Sequence, residues 1–169
     1  LQEMQELSTN RPPVEADEYQ KPPPSPWDIW IFKGGRGSGK TLGGAEFVAK
    51  RLKEEGAIRI GVMAPTQEDA RLTCAEGESG LLTLYPELFT KYNRSQGLAW
   101  TKAGGYVRFL GSEKPARWNG PQWNYLWVDE AELCNPQSLE QADFGLRLGK
   151  SPQQVWTTTP KGARYVKMM

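Results

Sequence analysis

The sequence predicts an α/β fold in three layers, a mostly parallel sheet with helices on both faces. Three observations carry this. A short run rich in β-branched and aromatic residues, 27–32, leads into a glycine-rich loop and then into a helical apolar pattern. A second strand-then-helix unit follows at 58–76. Two more apolar runs, 125–128 and 154–159, flank a further helix signal. Alternating strands and helices bury both sheet faces only when the strands run parallel.

Residues 1–26 are polar and end in Lys21-Pro22-Pro23-Pro24-Ser25-Pro26. Prolines lack the N–H a sheet interior needs, so this arm reads as an extended lead-in to a domain over 27–169, with at most a short helix at 1–7. The run 27–32 reads as a buried parallel strand. After it come Gly34, Gly35, Arg36, Gly37, Ser38, Gly39, Lys40 and Thr41, which fit G-x-x-x-x-G-K-[ST] in full. That pattern is a phosphate-binding loop for a nucleoside triphosphate, ATP being the expected ligand. Its glycines let several N–H groups converge on one anion, and the following helix adds the positive end of its dipole. Lys40 is placed to reach the β- and γ-phosphates, and the Thr41 hydroxyl to ligate Mg²⁺. Leu42, Ala45, Val48, Ala49 and Leu52 recur at helical spacing, and Gly56 is a fitting stop.

The run 58–64 reads as a second strand ended by Pro65, and Thr66 as the cap of a helix over 67–76. Residues 81–88 give a short helical turn. Strand signals at 98–101 and 106–110 flank Gly104-Gly105 and predict a hairpin. Residues 111–122, rich in Gly, Pro and charge, read as a loop; Lys114, Arg117, Trp118 and Trp123 mark it as a candidate DNA-facing segment, with an ordinary surface loop the simpler reading. The strand 125–128 ends in Asp129-Glu130, the Walker B arrangement, with Asp129 for Mg²⁺ and Glu130 for the attacking water. Pro136 opens a helix predicted over 136–148. The last strand, 154–159, ends in hydroxyl residues, one of which such a strand can place near the γ-phosphate or the attacking water to sense hydrolysis. Arg36, inside the loop, is a candidate for offsetting transition-state charge.

Composition narrows the alternatives. The formal net charge of +1 does not by itself announce a nucleic-acid binder. Two cysteines, Cys74 and Cys134, with no histidine, argue against zinc and suit a reducing compartment. No apolar run reaches transmembrane length, so no membrane partner is expected. The chain starts at Leu1 and closes on Met168-Met169, which reads as part of a longer protein.

Taken in order, these residues resemble the ATPase domain of the large terminase subunit of tailed bacteriophages, over 27–162. The resemblance includes the Arg36-containing loop, Ala64-Pro65-Thr66, Ala70-Arg71, Gly77-Glu78-Ser79-Gly80, Gly120-Pro121-Gln122, Val128-Asp129-Glu130 and Thr157-Thr158-Thr159-Pro160. It implies a P-loop NTPase of the RecA/ASCE type that hydrolyses ATP with Mg²⁺ to drive double-stranded viral DNA into a prohead. Lys40 and Thr41 match the phosphate and magnesium positions, Asp129 and Glu130 the magnesium-site and catalytic carboxylates, and Arg36 the loop arginine. The segment 157–160 matches the coupling motif, with Thr159 favoured; Gln20 and Arg11 are guesses for contact with adenine. One departure is Asn119 before Gly120, where the family often has arginine; Arg117 lies two residues earlier. The implied partners are the portal and prohead, the small terminase subunit and further copies in a ring, in the host cytoplasm. The family's C-terminal nuclease domain is absent from this chain, so no nuclease activity is expected. A helicase-type ATPase, a kinase or nucleotide switch, and a non-catalytic nucleotide-binding module are the other classes compatible with the motifs.

Overall fold

The computed structural model describes residues 16–160. Its centre is a seven-stranded sheet. The elements in chain order are β1 (Ile29–Lys33), α1 (Lys40–Glu55), β2 (Arg59–Ala64), α2 (Gln67–Asp69, continuing as a π-helical stretch, Ala70–Ala75) and α3 (Leu81–Leu84). Then come β3 (Phe89–Asn93), β4 (Leu98–Thr101), β5 (Tyr106–Gly111), β6 (Tyr125–Val128), α4 (Pro136–Gly145) and β7 (Gln153–Thr158). The strand order is β1-β7-β6-β2-β5-β4-β3. The first five run parallel, and β4 and β3 extend the sheet as an antiparallel pair.

The period-two alternation of each central strand feeds two cores. Ile60 and Val62 of β2 and Tyr125 and Trp127 of β6 face α1, packing with Ala45, Val48 and Leu52. Met63, Leu126 and Val128 face the other way, toward Ala142 of α4, Trp118 and Trp123. The three-layer expectation therefore holds, with α1 and α4 on opposite faces. Gly44 lets α1 come close to the sheet, since a Cβ there would run into the Trp127 indole.

Several elements differ from the sequence reading. β1 is parallel but not buried: it is the sheet edge, with Phe32 covered and Ile29 and Ile31 exposed. An edge strand has a neighbour on one side only, so apolarity alone did not reveal its position. β3 was not anticipated; its alternating Phe89, Thr90, Lys91, Tyr92 and Asn93 is a strand pattern half turned to solvent. Thr66 caps α2 as expected, accepting from the Asp69 N–H at 3.1 Å while the Asp69 carboxylate accepts from Thr66 N–H. The helix then widens, with Glu76 N–H donating to Arg71 C=O. α4 stops at Gly145, short of Leu148. There the Trp123 N–H donates to Gly145 C=O at 2.8 Å, and Leu146 lies beside Trp123, which draws the chain out of the helix.

Trp118 and Trp123 correct the reading of 111–122 as DNA-facing. Both are fully buried, and the Trp118 indole donates to Gly111 C=O at 3.1 Å. Arg117 is held within the chain by Gln67, at 2.8 Å. Lys114 remains exposed. Of the N-terminal arm, the described part is anchored: Ala16 N–H donates to Glu46, and Gln20 is buried. The 1–7 helix, Arg11 and Gly162 lie outside the described residues.

Candidate active site

The loop between β1 and α1 is fixed at both ends. Its first amide, Gly34 N–H, donates to Thr158 C=O of β7 at 3.1 Å. Its last residue, Gly39, takes φ 76°, and Gly37 takes φ 77°, a left-handed region where a side chain is strained. Ser38 closes the turn, its hydroxyl donating to Gly35 C=O at 2.8 Å. Lys40, buried at the start of α1, donates to Gly34 C=O at 2.9 Å and to Gly35 C=O at 2.8 Å. Its ammonium therefore sits across the mouth of the loop. Thr41 follows on the first turn of α1. Arg36 is exposed at the loop tip, with no ion pair among the described residues.

Gln20 reaches this loop from the arm. Its side-chain amide donates to Ser38 C=O at 3.0 Å, and a Cβ on Gly39 would collide with it. Sequence reasoning named Gln20 only for adenine; its contact here is with the loop backbone.

The carboxylates come from the end of β6. Asp129 continues the alternation of Tyr125 and Trp127 toward α1, is buried, and accepts from the Thr157 hydroxyl at 2.6 Å. Thr157 in turn faces the Trp127 indole N–H at 3.3 Å. Burial pushes the Asp129 carboxyl above its ordinary value; hydrogen bonds from Thr157 and Cys74 and the charge of Lys40 act against that. The loop that carries Lys40 and the strand end that carries Asp129 are both tied to β7, through Thr158 and Thr157.

A folded-state pKa above the unfolded value means that ionised Asp129 costs stability. Stability is highest with the carboxyl protonated and falls as pH rises through the window between the two values. Asp129→Asn is therefore expected to melt higher than wild type at neutral pH, without nucleotide or metal, with the advantage shrinking toward acid pH. A thermal scan giving a lower midpoint at pH 7 would contradict this.

Glu130 stands in a left-handed conformation at φ 46°. Such a backbone is strained for a residue with a side chain, and strain of this kind concentrates at functional positions. One carboxylate oxygen accepts from the Thr159 hydroxyl at 2.9 Å, and the other, Oε2, is buried. Burial, then the hydrogen bond with Glu132, raises the Glu130 carboxyl. Burial also acts to raise Glu132, but hydrogen bonds from Glu130, Thr158 and Thr159 carry it below its ordinary value. The two carboxyls thus share a proton-holding contact, and a raised carboxyl is suited to accepting a proton.

The residues fit a magnesium nucleotide. Thr41 and Asp129 offer hard oxygen donors, and the described residues hold no cluster of three or more protein ligands. That suits Mg²⁺, which usually takes one or two protein oxygens and fills its octahedron with phosphate oxygens and water.

The structure thus brings Gly34, Gly35, Gly37, Ser38, Gly39, Lys40, Thr41, Asp129, Glu130 and Thr159 to one end of the parallel strands. Arg36 stands at the rim. Sequence reasoning named Thr157 only as part of the segment 157–160, with Thr159 favoured, and gave Glu132 no role. The order β1-β7-β6 would have pointed to both, because it sets the threonines of β7 between the loop and the carboxylates.

A family model described as "Terminase large subunit, T4likevirus-type, N-terminal" matches residues 31–169. No curated protein sequence matches the chain. Among solved structures, the large terminase from the thermophilic bacteriophage D6E matches with a TM-score of 0.65 and 17% identity, over 80% of this chain and 34% of that one. The Thermus phage P74-26 large terminase ATPase domain matches with a TM-score of 0.61 and 14% identity, over 95% of this chain and 69% of that one. The HK97 bacteriophage large terminase matches with a TM-score of 0.64 and 15% identity, over 78% and 29%. The chain spans about a third of the length of the D6E protein. At these identities the likeness is one of fold, that of the large terminase ATPase domain.

Proposed function

Because the chain belongs to the terminase large subunit family of the T4-like-virus type, we propose that it is the ATP-hydrolysing motor domain of a viral DNA-packaging machine. One observation carries the proposal. β7 lies between the strand leading to the phosphate loop and the strand ending in the carboxylates, and its last residues touch all three: Gly34, Asp129 and Glu130. A nucleotide-binding module needs the loop alone. The added carboxylate, on a strained backbone and raised by burial, supports hydrolysis.

In this reading the N–H groups of Gly35, Gly37 and Gly39 and the Lys40 ammonium hold the phosphates. Thr41 and Asp129 would hold Mg²⁺, which when bound offsets charge on the β- and γ-phosphates. Glu130 orients the attacking water and takes its proton. Thr159, bonded to the other oxygen of Glu130, is placed to register the change when the γ-phosphate leaves. Arg36 offsets charge in the transition state. The solved relatives of D6E with ADP and with ATP-γ-S support an adenine nucleotide as ligand. Double-stranded DNA, a portal-bearing prohead, the small terminase subunit and further copies of the chain in a ring are the proposed partners, in the host cytoplasm. No helix among the described residues is long and apolar enough to cross a membrane.

The test is phosphate release from Mg·ATP by the chain alone, with DNA, and with DNA plus portal-bearing proheads. Stimulation that needs the full assembly supports a packaging motor. Stimulation by DNA alone with strand separation would point to a helicase instead, and ATP binding without release under every condition would reduce the chain to a binding module.

A further inference from the structure

Glu132 has no role in the reaction as described, yet its carboxylate holds two consecutive residues at the end of β7. Oε2 accepts from the Thr158 hydroxyl, and Oε1 accepts from the Thr159 N–H at 3.2 Å. These two residues carry the contacts that join the site together. The Thr158 carbonyl receives Gly34 N–H, the first amide of the phosphate loop, at 3.1 Å. The Thr159 hydroxyl donates to Glu130 at 2.9 Å. Thr158 is the last residue of β7 in the ladder, paired with Lys33 of β1, while the last pair with β6 is Val128 with Trp156. Past Thr158 the sheet no longer fixes the backbone, and Glu132 supplies an acceptor for the Thr159 N–H. It does so from a short 3₁₀ turn, Ala131–Leu133, which begins directly after Glu130.

We propose that Glu132 is a positioning residue that clamps the end of β7, so that the phosphate loop and Glu130 keep a common register. The clamp has two arms: one runs through Thr158 to Gly34 and thence to Lys40, whose ammonium donates to Gly34 C=O; the other runs through Thr159 to Glu130. Glu132 itself touches neither phosphate nor water. The inference rests on Glu130 being the base, as proposed above.

Two measurements on the full chain test it, and they fail independently of that reading. In Glu132→Ala, amide hydrogen exchange followed by NMR should quicken at Thr159 and also at Gly34, while Gln154, whose N–H donates to Asp28 at the far end of β7, keeps its protection. Unchanged exchange at Gly34 would overturn the clamp whether or not the chain turns over ATP. In the second measurement, Glu132→Ala should lower kcat by about 10- to 100-fold, the scale of a misplacement near 1 Å, with nucleotide affinity unchanged. Glu132→Gln, which keeps a carbonyl oxygen for Thr159 N–H, should recover part of the loss. Combined with Thr159→Val, Glu132→Ala should cost less than the sum of the two single changes, because the two share the contact chain through Thr159, while the hydrogen bond between Glu132 and Glu130 is lost only with Glu132. Additive losses, or wild-type kcat in Glu132→Ala, would overturn the proposal. A wild-type chain that binds ATP without hydrolysing it would instead defeat the reading of Glu130 and leave the exchange result to decide the clamp.

Discussion

Glu130→Gln is expected to lower ATP turnover by about 10³-fold, within the range for losing a general base, while leaving ATP affinity unchanged. Glutamine keeps the length of the side chain and an oxygen for the Thr159 hydroxyl, so the 2.9 Å contact and the local fold survive. What it loses is the ability to take a proton. The left-handed backbone at φ 46° remains strained in the variant, so stability should change little. Single-turnover phosphate release and equilibrium binding of a fluorescent ATP analogue separate the two effects. Turnover within tenfold of wild type would move the base elsewhere.

Lys40→Met should act earlier, on binding. The ammonium is held at 2.9 and 2.8 Å by Gly34 and Gly35 carbonyls, so it is already aimed across the loop before a phosphate arrives. Two charge-assisted hydrogen bonds to phosphate at about 1.5 kcal/mol each correspond to a loss of roughly a hundredfold in affinity. Methionine keeps an unbranched apolar stem without the charge. Titration of the nucleotide analogue checks this; an affinity within threefold of wild type would place the triphosphate away from this loop.

The loop, its lysine and the paired acids were legible because the chemistry demands contiguous residues. Gly34 to Thr41 must be adjacent to wrap one phosphate chain, and Asp129-Glu130 must follow a buried strand to be delivered together. What depends on non-local neighbours was not legible. The apolar residues of β1 look buried, yet Ile29 and Ile31 face outward because strand order, invisible in sequence, puts β1 at the edge. Trp118 and Trp123 sit in a glycine- and charge-rich stretch, and only the structure shows them packed under β2 and β6. Three consecutive threonines carry no mark of which one meets Asp129. Parallel register sends Thr157 to Asp129, Thr158 to Glu132 and Thr159 to Glu130, so a single-residue guess captured one contact of three.

The place of β7 also bears on the order in which the molecule assembles during synthesis. β3, β4 and β5 are close in sequence and pair as soon as they leave the ribosome. β1 must wait, since its neighbour among the described strands, β7, lies far along the chain. Pairings between remote segments are slow to form, because a long loop must close first. Nucleotide can therefore be gripped only after translation has delivered β7, and a product cut short before β7 would lack a working grip altogether.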